Sequence, residues 1–152
     1  MDIASLLVKH IQFPYKPSKI EVVGSLGRGE AKWKDIDLLV TVPTITDNYL
    51  KDIKIISPTK MYKIRSCGTY NCYFTLRDNK HFYPEINIFL TDKKSYVFAK
   101  LARLRSKGQN IGLRRHAEQK GLKLSQYGLF KGDTPITKKF KDIDSLELWL
   151  KS

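Results

Sequence analysis

Cysteine and histidine are scarce in this chain, two and three among 152 residues. A zinc site draws its four ligands mainly from those two residue types at close spacing, and Cys67 and Cys72 have no such neighbours. They flank Gly68-Thr69-Tyr70-Asn71 between two β-rich runs, so they read as the end of a hairpin. A disulfide is geometrically open there, and in a reducing cytosol the expectation is two free thiols. No apolar run reaches the roughly eighteen residues of a membrane span. The opening MDIASLLVKHIQF has the pattern of an amphipathic helix capped by Asp2, not of a signal peptide. These absences favour a soluble, intracellular protein. Neither a Ser-His-Asp constellation nor a Walker lysine is evident, which leaves hydrolase and kinase readings without support.

Acidic residues are also few. Fifteen Asp and Glu face 28 Lys and Arg, giving a formal net charge of +13. A field of that sign suits a polyanionic partner. The basic residues are spread over several elements instead of forming one amphipathic helix, which argues against a membrane surface. The length suits one compact domain or two small lobes.

The informative stretch is Glu21 to Val40, EVVGSLGRGEAKWKDIDLLV. An apolar strand breaks at Gly24-Ser25 into a turn whose backbone N–H groups can face an anion. Gly27, Arg28 and Gly29 follow, adding a guanidinium fork. A short helix or helical turn over 26–34 is expected, with Glu30 and Lys32 on its solvated side. Then Asp35-Ile36-Asp37-Leu38-Leu39-Val40 alternates with period two, which places both aspartates on one strand face. Paired carboxylates repel unless a cation joins them, and hard oxygen ligands suit Mg²⁺. The remainder reads as a helix within 43–55, paired strands at 61–66 and 72–77, a strand at 82–90, helices at 95–104 and 111–119, short paired strands at 122–132, and a packing helix over 144–150 with Asp144 and Glu147 at capping-box spacing.

Gly24-Ser25, about nine residues, then Asp35-Ile36-Asp37 resembles the motif of the polymerase-beta type of nucleotidyltransferase. The segment from Leu113 to Phe130, with an Arg-rich helix, Lys120-Gly121 and Tyr127-Gly128-Leu129-Phe130, resembles the thumb of family X DNA polymerases. The resemblance covers about Ile20 to the carboxyl terminus. It implies an α+β fold: a nucleotidyltransferase palm over 1–92, with a mixed sheet and helices on one face, and a small α/β thumb subdomain over 93–152. Neither a lyase nor a helix-hairpin-helix region is expected in the residues before Ile20. It implies that Asp35, Asp37 and the residue at 87 hold two Mg²⁺, for which Mn²⁺ can substitute, and that Gly24, Ser25, Gly27 and Arg28 bind the incoming nucleotide. The substrates implied are a dNTP and gapped or primer–template DNA, acted on by a monomer that fills short gaps in repair. The family has a third acid where this chain has Asn87, and often a second arginine where it has Gly27. Its Tyr-Phe-x-Gly motif is not evident either, the aligned stretch being near 102–106.

An introduced Asp-to-Asn change, substitution by Glu85 on the same face, or a weak enzyme each fits Asn87, as does an ordinary polar strand residue. Two other functions stay open at this point: a nucleotidyltransferase acting on RNA or a small molecule, and a basic DNA-binding module without catalysis. The resemblance places Arg103, Arg105, Lys107, Arg114, Arg115, Lys120, Lys123 and Lys131 on DNA phosphates. Such contacts release counterions, so affinity for gapped DNA is expected to fall steeply, by about 10³-fold or more, between 50 and 200 mM salt if six or more phosphates are neutralised. Binding titrations across that range check this, and a flat salt dependence would contradict it.

Overall fold

The computed structural model describes residues 8–56, 61–75 and 84–152. The chain divides into two compact units, Met1–Asp92 and Lys93–Ser152. The amino-terminal unit contains β1 (Ile11–Gln12), β2 (Lys19–Val23), a four-residue helical turn α1 (Gly24–Gly27), β3 (Asp35–Val42), β4 (Lys54–Ile55), β5 (Lys63–Cys67), β6 (Asn71–Thr75) and β7 (Glu85–Asp92). Five of these strands form a mixed sheet in the order β2-β3-β7-β6-β5, in which β3 and β7 run parallel and the other pairs antiparallel. β1 pairs with β4 as a separate ribbon.

Alternation along β3 and β7 decides what faces where. Ile36, Leu38, Val40, Ile86, Ile88 and Leu90 point to one side and join Cys72 and Phe74 in a core with Tyr49, Leu50, Ile53 and Ile55. On the other side, the first halves of both strands carry the partly exposed Asp35, Asp37, Glu85 and Asn87, whereas Leu39, Thr41, Phe89 and Thr91 further along are buried. Both strands therefore begin as one-sided strands and end covered on both faces, which fixes their register and leaves one open polar edge.

Several sequence expectations are corrected. The helix expected within 43–55 is absent: residues 47–52 form turns, with Tyr49 and Leu50 anchored in the core and the Tyr49 hydroxyl donating to Tyr15 O at 2.8 Å. Burial rather than helical periodicity explains the apolar residues there. The helical turn near the glycines occupies 24–27 instead of 26–34. Ile11, expected on the amino-terminal helix, belongs to β1 opposite Ile55, and His10 is exposed; Asp2 to Leu7 lie outside the described residues. Cys67 and Cys72 are joined in a disulfide, not free. They face each other across the β5–β6 hairpin with Cα atoms 4.1 Å apart, a juxtaposition that sequence spacing permits without deciding the oxidation state.

The carboxy-terminal unit contains α2 (Tyr96–Leu104), α3 (Lys107–Gln119), β8 (Lys123–Ser125), β9 (Gly128–Lys131), β10 (Thr134–Pro135) and α4 (Ile143–Lys151). Its core gathers Leu101, Leu113, Ala117, Leu124, Leu129, Ile143, Leu146 and Leu150. A capping box at Ser106 and Gln109 starts α3, and Gly121 at φ +75° turns the chain after it. The cap of α4 is Asp142, whose carboxylate accepts from Ser145 N–H at 2.8 Å. Asp144 and Glu147, read from sequence as a capping pair, instead hold Arg105, at 3.2 and 2.6 Å. The hydrogen bond to Glu147 raises the guanidinium pKa against the opposing effect of burial. Among the described residues no helix is long and apolar enough to cross a membrane.

Charge-assisted hydrogen bonds of this sort are each worth about 1.5–3 kcal/mol. Arg105→Ala is expected to destabilise the carboxy-terminal unit by roughly that amount. The exposed Lys123→Ala should stay within about 0.5 kcal/mol of wild type. Urea denaturation of the two variants checks the contrast.

Candidate active site

The site is assembled by the parallel pairing of β3 with β7, which sets Asp35 beside Glu85 and Asp37 beside Asn87 on one face. Asn87 Nδ2 donates to Asp37 Oδ1 at 2.8 Å. A carboxylate only accepts, so this bond fixes the amide orientation and directs Asn87 Oδ1 away from Asp37. That oxygen is buried and has no hydrogen-bond partner among the described residues. Glu85 is ion-paired with Arg65, Nε to Oε1 3.0 Å, and the Arg65 guanidinium lies 5.4 Å from the Tyr73 ring centroid. Tyr73 is the β6 neighbour of Asn87, so hairpin β5–β6 supplies a second wall to the polar edge.

Gly24 stands directly over Asp37. It adopts φ +67°, and a Cβ there would overlap the carboxylate, with Asp37 Cγ 2.9 Å away. The glycine read from sequence as a phosphate donor is thus also the residue that lets the strand end approach the aspartate. Beyond it the turn closes on itself: Arg28 N–H bonds Gly24 O at 2.9 Å, and Glu30 N–H bonds Ser25 O at 3.1 Å. The Arg28 side chain donates to Ser25 Oγ at 3.3 Å and to Glu30 Oε2 at 2.7 and 3.1 Å. Glu30, read from sequence as a solvated residue, is the anion that Arg28 holds. The Arg-x-Glu spacing was the available signal for it.

Asp35, Asp37 and the orphaned amide oxygen of Asn87 are hard donors on one face, a set that fits a divalent cation such as Mg²⁺. Among the described residues, however, no three His, Cys, Asp or Glu side chains converge as a metal cluster. The neutral amide at 87 and the turn of Glu85 toward Arg65 account for that.

The basic residues of the carboxy-terminal unit fall into two sets. Arg105 is engaged as described, and Arg103 Nη2 donates to Gln126 Oε1 at 2.6 Å, so both help hold the unit together. Lys107, Arg114, Arg115, Lys120, Lys123 and Lys131 are exposed. Of the three on α3, Arg115 lies opposite the buried Leu113 and Ala117, and Lys107 and Arg114 flank that buried stripe. Lys120 donates to Ser152 O at 2.8 Å and lies 5.2 Å from the Trp149 ring centroid.

A glycine turn against paired strand aspartates, on a mixed sheet with a parallel central pair, defines a nucleotidyltransferase, and the nucleotidyltransferase domain family matches residues 5–97. The chain belongs to that family. Within it, the chain is 31% identical over 119 residues to the repair DNA polymerase X of African swine fever virus, Warthog/Namibia isolate, covering 77% of this chain and 67% of the relative. It is 29% identical over 145 residues to the repair DNA polymerase X of the Tick/Malawi isolate, covering 88% and 80%. The family X resemblance drawn from the two sequence motifs holds.

Gly24→Ala is expected to force either the turn or Asp37 to move, at about 1–3 kcal/mol for the overlap alone. Nucleotidyl transfer should be lost even where the variant remains folded. Parallel denaturation and primer-extension assays check this, and a Gly24→Ala variant equal to wild type in both would contradict the close approach.

Proposed function

We propose that this chain is a template-directed DNA polymerase that adds dNTPs to a primer 3′-hydroxyl and fills short gaps in DNA repair. The observation that carries the reading is the placement of Asp35 and Asp37 on the open face at the start of β3, with Asp37 immediately under Gly24. The viral relatives, named as repair DNA polymerases, give the substrate class.

In this reading the first helical turn's N–H groups and Arg28 hold the triphosphate, with Arg28 exchanging Glu30 for phosphate oxygens. Asp35 and Asp37, with the Asn87 oxygen, would hold two Mg²⁺, for which Mn²⁺ can substitute. When bound, divalent ions there stabilise charge on the attacking and leaving oxygens of an in-line displacement. Asn87 orients Asp37 through its amide. It cannot take the proton of the 3′-hydroxyl, which leaves that task to a carboxylate on the same face. The exposed Lys107, Arg114, Arg115, Lys120, Lys123 and Lys131 contact DNA phosphates without reading sequence. The protein acts as a monomer inside the cell.

The competing reading, a basic DNA-binding module without catalysis, draws on the same neutral amide at position 87. Extension of a primer across a single-nucleotide gap, for the wild type and Asn87→Asp, separates them. The aspartate variant is expected to incorporate the templated nucleotide about 10²-fold faster or more, the usual scale of a well-placed proton acceptor. If neither protein extends while both bind gapped DNA, the binding module is correct.

A further inference from the structure

Asp35, Asp37, Glu85 and Asn87 occupy four adjacent positions of one sheet face. Strands lie about 4.8 Å apart and alternate residues on a strand about 6.6 Å, so the four side chains rise from one small rectangle. Three of them are carboxylates, and two of those already have compensating partners. The Asn87 amide faces Asp37, and the Arg65 guanidinium faces Glu85. Each partner gives its carboxylate what a cation would otherwise give: an N–H donor in one case, a positive charge in the other.

We propose that Glu85 supplies the third carboxylate of the divalent-cation site, and that Arg65 is the internal cation it leaves when a metal ion enters. The inference rests on the polymerase reading above. Asn87 brings no charge, and its nitrogen is committed to Asp37, so a third negative ligand, where one is used, comes from elsewhere on the face. Glu21 is also on that face but lies opposite Leu39, further along β3, and is paired with Lys19 at 3.5 Å. Glu85 is the direct neighbour of Asp35, and its longer side chain can swing between Arg65 and the aspartates. The hold on it is weak enough to break: Arg65 is 55% exposed, and a solvent-screened ion pair shifts an equilibrium by no more than about fivefold. Arg65 also has somewhere to remain, against Tyr73.

The test is Mn²⁺ binding to the full chain, without DNA or nucleotide, followed by the electron paramagnetic resonance of free Mn²⁺. The proteins are wild type, Asp37→Asn, Glu85→Gln and Arg65→Gln. Loss of a ligand in Glu85→Gln is expected to weaken Mn²⁺ binding about tenfold or more. Arg65→Gln should tighten it about two- to fivefold by removing the competing cation. If Glu85→Gln binds as wild type while Asp37→Asn is weakened, the Glu85 assignment is overturned and the polymerase site stands. If Asp37→Asn and Glu85→Gln both bind as wild type, the site itself is misassigned and both readings fail. Should Glu85→Gln not fold, Arg65→Gln decides alone: unchanged or weaker binding overturns the proposal.

Discussion

The hydrogen bond from Asn87 to Asp37 is the constraint on which the amino-terminal unit depends. It spans the parallel pair β3 and β7 at the point where both strands pass from covered to open, and it sits beneath the Gly24 turn. Two carboxylates at 2.8 Å could not both remain ionised without a cation or a shared proton. An amide at 87 removes that conflict, so the paired edge is satisfied internally. The same neutrality lowers the charge available to hold a metal. Stability of the sheet and the strength of the proposed cation site would thus pull in opposite directions at one residue.

A second such conflict lies in the guanidinium groups. Arg28 follows the Gly24-Ser25 turn yet is bonded to Glu30, and Arg65 stands beside the polar face yet is ion-paired with Glu85. A protein of net charge +13 has few carboxylates, and several of them are placed where they hold arginines in defined positions. In the proposed reading, substrate phosphates or cations entering these places would exchange one ionic partner for another rather than order a loose side chain.

Much of this was legible in the sequence where period and chemistry coincide. The alternation of Asp35-Ile36-Asp37-Leu38 announced both the strand and its polar face, and the helix read over 95–104 is α2. Residues 43–55 misled because Tyr49, Leu50, Ile53 and Ile55 are buried from turns and a short strand, where no helical period applies. The cap of α4 was misplaced by two residues because Asp142 and Asp144 are chemically alike, and only tertiary contact with Arg105 distinguishes them. The residues expected at the site stand at the start of one strand, its neighbour and the adjoining turn; the partner Arg65 was not legible, and Glu30 was signalled only by its Arg-x-Glu spacing. Which of 28 basic residues holds which acid is decided by strand register and turn closure, neither of which composition encodes.

The most direct measurement is the side-chain amide resonance of Asn87 in nitrogen-15 labelled protein during titration with sub-stoichiometric Mn²⁺. A cation held beside Asp37 should broaden the Asn87 amide pair first and leave that of Asn48, in the turn whose neighbours Tyr49 and Leu50 pack into the core on the opposite sheet face, sharp. An Asn87 signal that stays sharp, or one that broadens no sooner than Asn48, would contradict a metal-dependent nucleotidyl-transfer site at this edge.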